Sequence, residues 1–310
     1  MKKDLISVIL PAHNEEDVIS KAINSVLNST YKNYEIVVVN NGSTDRTREI
    51  VEKFVTKNHC KIRLINFDPI VNKQQEKMRG AAFSRNRGVE VARGDIVFFL
   101  DADDWLRNDT LENVAKSFEK HKNVNFIIRN RKVKIPKNWR RIFIYNFISL
   151  KDRIDLVKED EPEGVTQESD YCICAAKTKS FREVGSFDEK YFYREDLELG
   201  SRLKKLKIPK LLSQKIIYFT EMGTTLKDFK RLCKNVAVSR SIGLSDKYSF
   251  SKILYQTALF IIIFPFFYLS LFAYSVIKSG DLLVSITIPF LMIMKRILMI
   301  YYFIKLKTSS

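Results

Sequence analysis

Asp101, Asp103 and Asp104 put three carboxylates within four residues, directly after the apolar run Ile96-Val-Phe-Phe-Leu100. Aspartates two apart on a tight turn offer hard oxygen ligands suited to Mg²⁺ or Mn²⁺, and such a cation is usually completed by the phosphates of a substrate. The plain alternative is an acidic surface turn, because a motif this short often matches by chance. A calcium loop fits badly. Glu112 falls at its twelfth position, but Trp105 stands in place of the fifth ligand and Leu106 in place of the turn glycine.

A strand as apolar as residues 96–100 is buried on both faces, which is the habit of a parallel sheet, and ligands of open α/β sheets collect at the carboxyl ends of such strands. Short β-branched runs at residues 6–10, 36–39, 62–65 and 124–128 predict its companions, with helical patterns between them. Val18, Ile19, Ala22, Ile23, Val26 and Leu27 make one apolar helical face. Leu111, Val114, Ala115 and Phe118 make another, with Asp109 and Glu112 spaced to cap it. This alternation implies right-handed βαβ crossovers around a parallel sheet. Neither G-x-G-x-x-G nor G-x-x-x-x-G-K-[ST] occurs, so the usual dinucleotide fingerprint and phosphate loop are both absent.

The 310 residues suffice for one large domain or two, and 53 Lys and Arg against 36 Asp and Glu leave a formal charge of +17. That balance suits an anionic partner: nucleotide phosphates, lipid headgroups or nucleic acid. Membrane lipid ranks first because Lys247, Lys252, Lys278, Lys295, Arg296, Lys305 and Lys307 flank apolar, aromatic-rich segments. A solvated basic surface is the bland reading of the same charges. Cys60, Cys172, Cys174 and Cys233 show no zinc-site pairing and no disulfide density, and read as small, reduced, buried side chains. The N-terminal apolar run is short, contains Pro11 and enters an acidic stretch, so it reads as a first strand and not as a signal peptide, and the cytosol is the default location of the catalytic half.

From residue 129 to 168 the rhythm breaks, with Pro136, Pro162 and Gly164 as breakers, and a connector or covering segment is expected. Residues 139–148 suit either a packed helix or an amphipathic element on a membrane surface. Residues 253–277 are almost uncharged and exceed the roughly 20 apolar residues a bilayer span requires. Pro265 permits a kink or a re-entrant turn there. In residues 282–304, Lys295 and Arg296 would each cost about 2.5–3.5 kcal/mol at the centre of a span and better mark an interface. The expected division is a catalytic domain over residues 1–245 and membrane-associated helices over 246–310, with a soluble buried helix pair as the alternative for the latter.

Five motifs occur in an order that is similar to that of family 2 glycosyltransferases: Pro11-Ala-His-Asn-Glu-Glu16, Asn40-Asn-Gly-Ser-Thr-Asp45, Ser84-Arg-Asn-Arg-Gly88, Asp101-Ala-Asp-Asp104 and Arg194-Glu-Asp-Leu-Glu-Leu199. The resemblance covers roughly residues 5–240 and implies the α/β GT-A fold with a mainly parallel twisted sheet. It also implies a nucleotide-sugar donor, a divalent metal (Mg²⁺ or Mn²⁺) and an inverting reaction. Pro11, Ala12, His13, Asn14 and Glu15 would then line the donor site, with the His13 ring on the nucleobase. Asn41 stands where the family reads the base with aspartate, and its amide can accept from uracil N3–H and donate to O4. Asn40 also replaces an aspartate, so the identity of the base stays open. Arg85 matches the arginine near the donor diphosphate, although an arginine on a helix surface is the simpler reading.

By the same resemblance Asp103 binds the metal and Asp101 helps hold the metal or the ribose. Asp196 is the general base and Glu195 the neighbour that could share its duty. A charged helix N-terminus, stabilised by the macrodipole, explains Glu195, Asp196 and Glu198 equally well by itself. Val184-Gly-Ser-Phe-Asp-Glu189 is expected to shape the acceptor side. Residues 224–231 resemble the stretch that leads to the bilayer in membrane-associated members, where Lys227, Lys230, Arg231, Lys234 or Arg240 would meet acceptor phosphates. The expectation is an inverting hexosyltransferase attached to the cell membrane, facing the cytoplasm, with a lipid-linked or glycan acceptor and no nucleic-acid partner. Two rivals remain: a catalytically degenerate membrane partner, suggested by Asn40 and Asn41, and a nucleic-acid binder, suggested by charge alone.

Overall fold

A computed structural model describes residues 3–69, 79–134, 164–167, 173–191 and 195–221. Strands β1 (Ile6–Ala12), β2 (Tyr34–Asn41), β3 (Ile62–Phe67) and β4 (Ile96–Phe99) pair in parallel in the order β3-β2-β1-β4. Every residue of β2 and β4 is buried, as strands covered on both faces must be. The order reverses between β1 and β4, and the crevice beyond their carboxyl ends is where an open α/β sheet takes ligands.

Among the described residues, the helices covering this half are α1 (Ile19–Leu27), α2 (Thr47–Lys57) and α3 (Ala81–Val91). Because side chains alternate along a strand, the sheet has two separate cores. Val8, Val38 and Phe98 pack with Ile19, Ile23 and Val26 of α1. Ile9, Val37, Val39, Val97 and Phe99 pack with Ala82 and Val89 of α3. Gly88 lets α3 approach this closely, since a Cβ there would lie 2.5 Å from Ile9 Cγ2 and 3.2 Å from Val39 Cγ2.

The second half contains β5 (Asp104–Leu106), α4 (Thr110–Lys120), β6 (Phe126–Lys134), β7 (Gly164–Thr166), β8 (Ile173–Lys177), α5 (Thr178–Glu183), α6 (Glu195–Lys205) and β9 (Lys210–Glu221). Here β8 is antiparallel to β4 and β6, β9 is parallel to β6, and β5 and β7 pair antiparallel with β9. The sheet thus continues as β8-β6-β9-β5.

The strands and helices expected from periodicity are present, with differences at their ends. β6 runs past residue 128 to Lys134, with an irregular register between Ile128 and Asn130 that lets a polar stretch stay in the ladder. Gly164, expected as a breaker, opens β7. Asp109 occupies the N-cap position of α4 but makes no capping hydrogen bond. Its Oδ2 accepts from the charged Arg107 Nη2 at 2.9 Å, and Glu112 accepts from Thr30 Oγ1 at 2.9 Å and pairs with Lys116 at 2.7 Å, so both carboxylates are engaged by side chains. Cys174 is buried as expected, whereas Cys60 is exposed, in the turn before β3.

The described residues all belong to one compact unit. The expected boundary at residue 245, the segment 139–148, the motif at 224–231 and the candidate membrane segments lie outside the described residues. Among the described residues no helix is long and apolar enough to cross a membrane.

Candidate functional site

The acidic turn lies where the sequence places it. Leu100 N donates to Ile9 O at 3.1 Å, holding the exit of β4 against β1, and Asp104 N donates to Asp101 O at 3.0 Å to close the turn. One carboxylate oxygen from each of Asp101, Asp103 and Asp104 lies within 4.8 Å of the others. Asp103 is exposed, Asp101 half-buried and Asp104 buried. Three hard anionic donors so close repel one another unless a cation lies among or beside them, and the set fits Mg²⁺ or Mn²⁺. The sequence singles out Asp101 and Asp103, two apart, as the ligand pair; Asp104 joins them by proximity in the folded turn.

Arg85 answers part of that negative charge. It sits on α3, is 6% exposed, and Nη2 donates to Asp101 Oδ1 at 2.6 Å. Its Nη1 donates to Glu195 Oε1, at the first residue of α6. One guanidinium therefore ties the acidic turn after β4 to the helix that carries Asp196. Glu195 is 5% exposed and Asp196 is half-buried. Burial pushes the Glu195 carboxyl above its ordinary value, the Arg85 charge opposes this, and the neighbouring Asp196 charge reinforces it. Glu195, Asp196 and Glu198 all lie in the first turn of α6, where the macrodipole favours carboxylates, so the helix-terminus explanation and a chemical role coexist.

The next residue on α3 does parallel work. Asn86 Nδ2 donates to Phe187 O and to Glu189 Oε1, both at 2.9 Å, and its Oδ1 accepts from Phe187 N at 3.1 Å. Arg202 of α6 donates through Nη2 to Ser186 O at 2.7 Å and to Glu198 Oε2 at 2.7 Å. The loop at residues 184–189 is thus pinned to both helices, beside a cavity of about 470 Å³ lined in part by Asn86, Asp188, Glu189 and Glu198.

On the other side of the crevice, the loops after β1 and β2 are stitched together. Asn14 has φ 57°, a conformation asparagine tolerates. Its N donates to Ser43 Oγ at 3.0 Å and its Oδ1 accepts from Thr44 N at 2.8 Å. Glu15 N donates to Thr47 Oγ1 at 2.8 Å and Glu16 N to Asp45 Oδ2 at 3.1 Å. His13 Nδ1 lies 2.8 Å from Asn41 O; a carbonyl only accepts, so in the neutral ring Nδ1 carries the proton. Pro11 is half-buried, Ala12 buried, and His13 and Asn14 exposed at this rim. Gly42 has φ 69°, and a Cβ there would lie 2.5 Å from Asp68 O, so the turn after β2 needs glycine on both counts.

The two asparagines in place of aspartates have specific partners. Asn40 Nδ2 donates to Asn66 Oδ1 at 3.0 Å, joining the ends of β2 and β3, and its Oδ1 accepts from Ser43 N at 3.3 Å. Asn41 is 5% exposed; its Nδ2 donates to Arg79 O at 2.5 Å and its Oδ1 accepts from Arg79 Nε at 3.0 Å. Arg79 lies over Phe67 and Phe83, with 5.2 and 5.8 Å from its Cζ to the ring centroids. Arg79 and Asn86 were missed as site residues; the first lies outside every motif, and the second sits inside one without a role that its type alone announces.

A parallel α/β half-sheet with an acidic turn and a loop pair at its carboxyl ends defines a ligand crevice of the open α/β kind. The model of Glycosyl transferase family 2 matches residues 7–176, and the chain belongs to that family. An uncharacterized glycosyltransferase of Haemophilus influenzae is 35% identical over 139 residues, covering 45% of this chain and 48% of the relative. The Escherichia coli UDP-Glc:alpha-D-GlcNAc-diphosphoundecaprenol beta-1,3-glucosyltransferase WfgD is 33% identical over 130 residues, 42% of this chain and 46% of the relative. The chain thus spans about half the length of these curated relatives. Among solved structures, Staphylococcus aureus TarS in complex with UDP-GlcNAc aligns with TM-score 0.54 at 20% identity, over 80% of this chain and 69% of that one. The mannosyltransferase PcManGT of Pyrobaculum calidifontis, in complex with GDP-Man and Mn²⁺, aligns with TM-score 0.55 at 17% identity, over 80% and 66%. These two likenesses speak for the fold.

Proposed function

We propose that the protein is an inverting glycosyltransferase that moves a sugar from a nucleoside-diphosphate donor to a lipid-linked or glycan acceptor at the cytoplasmic face of a membrane. The observation that carries the reading is Arg85, which joins Asp101 of the acidic turn to Glu195 of the helix bearing Asp196. Donor and acceptor chemistry need these two carboxylate groups on one crevice, and a single buried side chain keeps them there.

Asp103 and Asp101, with Asp104 beside them, would hold the divalent cation, which when bound offsets negative charge on the diphosphate as it leaves. Asp196 takes the proton from the acceptor hydroxyl as that oxygen attacks the anomeric carbon opposite the leaving nucleotide, which inverts the configuration. Glu195 is the positioning residue: its carboxylate is engaged by Arg85 and buried, and it holds α6 rather than the acceptor. Arg85, occupied by two carboxylates, acts on the donor through Asp101 and not by gripping phosphate on its own.

The donor class is supported by the nucleotide sugars named with TarS and PcManGT, and a polyprenyl-linked acceptor by the name of WfgD. Membrane attachment rests on the apolar segments beyond residue 252 and the basic residues flanking them. The test is transfer by purified full-length protein with Mn²⁺, a panel of nucleotide sugars, and polyprenyl-phosphate and glycan acceptors. Turnover in at least one combination, abolished by chelation and weakened by Asp103→Ala, is the expected result. No turnover in any combination, with donor binding absent from calorimetry, would favour the degenerate partner suggested by Asn40 and Asn41.

A further inference from the structure

We propose that Asn86 is a positioning residue for the transfer step: by fixing Phe187 in the loop at residues 184–189, it seats the Arg85 guanidinium between Asp101 and Glu195. The proposal rests on the transferase reading and adds a residue that acts on the reacting groups only through others.

The loop does not hold its shape unaided. Ser186 has φ 55°, in the left-handed region, which for a serine is strained and persists only where the surroundings enforce it. They do so from two helices. Arg202 of α6 donates through Nη1 to Val184 O and through Nη2 to Ser186 O at 2.7 Å. Asn86 of α3, 9% exposed, takes the next residue at both backbone groups, accepting from Phe187 N at 3.1 Å and donating to Phe187 O at 2.9 Å. That pattern needs an acceptor and a donor at the end of one uncharged side chain, which a carboxamide supplies.

Phe187 carries the effect to Arg85. Its ring is 3% exposed and lies 5.5 Å from Arg85 Cζ, so the guanidinium rests against it. The same ring packs at 5.1 Å on Phe99 and at 5.2 Å on Phe181. Phe99 ends β4, two residues before Asp101. The plate beneath Arg85 is thus fixed to the strand bearing the acidic turn on one side and to Asn86 on the other. Without Asn86 the strained loop relaxes, the plate moves, and Arg85 shifts together with Glu195 and the neighbouring Asp196. A misplacement of about 1 Å at a reacting group costs about 10²-fold in rate. The acidic turn has its own closure, from Leu100 N to Ile9 O and from Asp104 N to Asp101 O, so donor binding stays.

The test compares full-length wild type with Asn86→Ala, Asn86→Gln and the double variant Asn86→Ala with Ser186→Gly, using the nucleotide sugar and acceptor that turn over in the screen above. Asn86→Ala should lower kcat by about 10–10²-fold, with affinity for the matching nucleoside diphosphate in Mn²⁺ unchanged by calorimetry. Asn86→Gln, which keeps both amide functions on a longer arm, should fall between. Glycine adopts positive φ without steric penalty, so Ser186→Gly removes the strain that Asn86 opposes and the double variant should regain part of the lost kcat. The proposal is overturned if folded Asn86→Ala turns over at the wild-type rate, if kcat and diphosphate affinity fall by the same factor, or if Ser186→Gly restores nothing. If Asn86→Ala does not fold, the same three outcomes are read on Asn86→Gln, alone and with Ser186→Gly. Absence of turnover by the wild type in every combination would instead remove the transferase reading beneath the proposal.

Discussion

Arg85 Nη2 donates to Asp101 Oδ1 at 2.6 Å, across 16 residues of sequence, from a side chain only 6% exposed. Its other terminal nitrogen holds Glu195. Removing one partner of such a buried pair leaves uncompensated charge, and here two carboxylates would lose their counter-ion. Arg85→Met should lower the stability of the catalytic unit by about 3–5 kcal/mol, read as a shift in the urea midpoint at unchanged slope. Arg85→Lys keeps the charge but loses the planar fork, and should fall between the two. A midpoint within experimental error of wild type for Arg85→Met would show that the bridge does not hold the site together.

Gly88 is required for packing. A methyl group there meets Ile9 Cγ2 at 2.5 Å, in a core that has no slack. Gly88→Ala should therefore destabilise by about 1–3 kcal/mol, despite alanine being the better helix former. Thermal or urea unfolding checks this, and a stabilised variant would mean that α3 stands farther from β1 than described.

Glu195 gives a pH signature. Its carboxyl is raised above the ordinary 4.5 chiefly by burial, so in the window above pH 4.5 the folded protein binds more protons than the unfolded chain. Its contribution to stability is fully present below the unfolded value and is lost as pH rises through the folded one. The difference in unfolding free energy between wild type and Glu195→Gln should change across that window. A pH-independent difference would contradict the assignment. As a positioning residue, Glu195 should also show its loss mainly in kcat, with donor affinity by calorimetry little changed.

Much of this was legible in the chain. β2 and β4 announce themselves because strands buried on both faces have no polar alternation to blur them, and Asp101 and Asp103 follow from standing at the end of such a strand. The assignment of Asp196 as base, with Glu195 as the neighbour that could share its duty, rests on the family resemblance; what the chain alone does not display is that Glu195 is buried against Arg85 while Asp196 is half-buried. Arg79 was invisible because its partner Asn41 lies 38 residues away and the contact depends on how the ends of β2 and β3 close. Asn86 likewise meets Phe187 across 101 residues. Asp109 misled, since its spacing fits a cap but a nearby guanidinium competes for it.

The central claim is that Asp196 removes the acceptor proton while the rest of the crevice binds the donor without it. Asp196→Asn keeps the shape of the side chain and removes its basicity. Transfer by this variant should fall by about 10²–10⁴-fold, with nucleoside-diphosphate affinity in Mn²⁺ unchanged by calorimetry on the same preparation. Transfer at the wild-type rate would contradict the account and move the base to another residue.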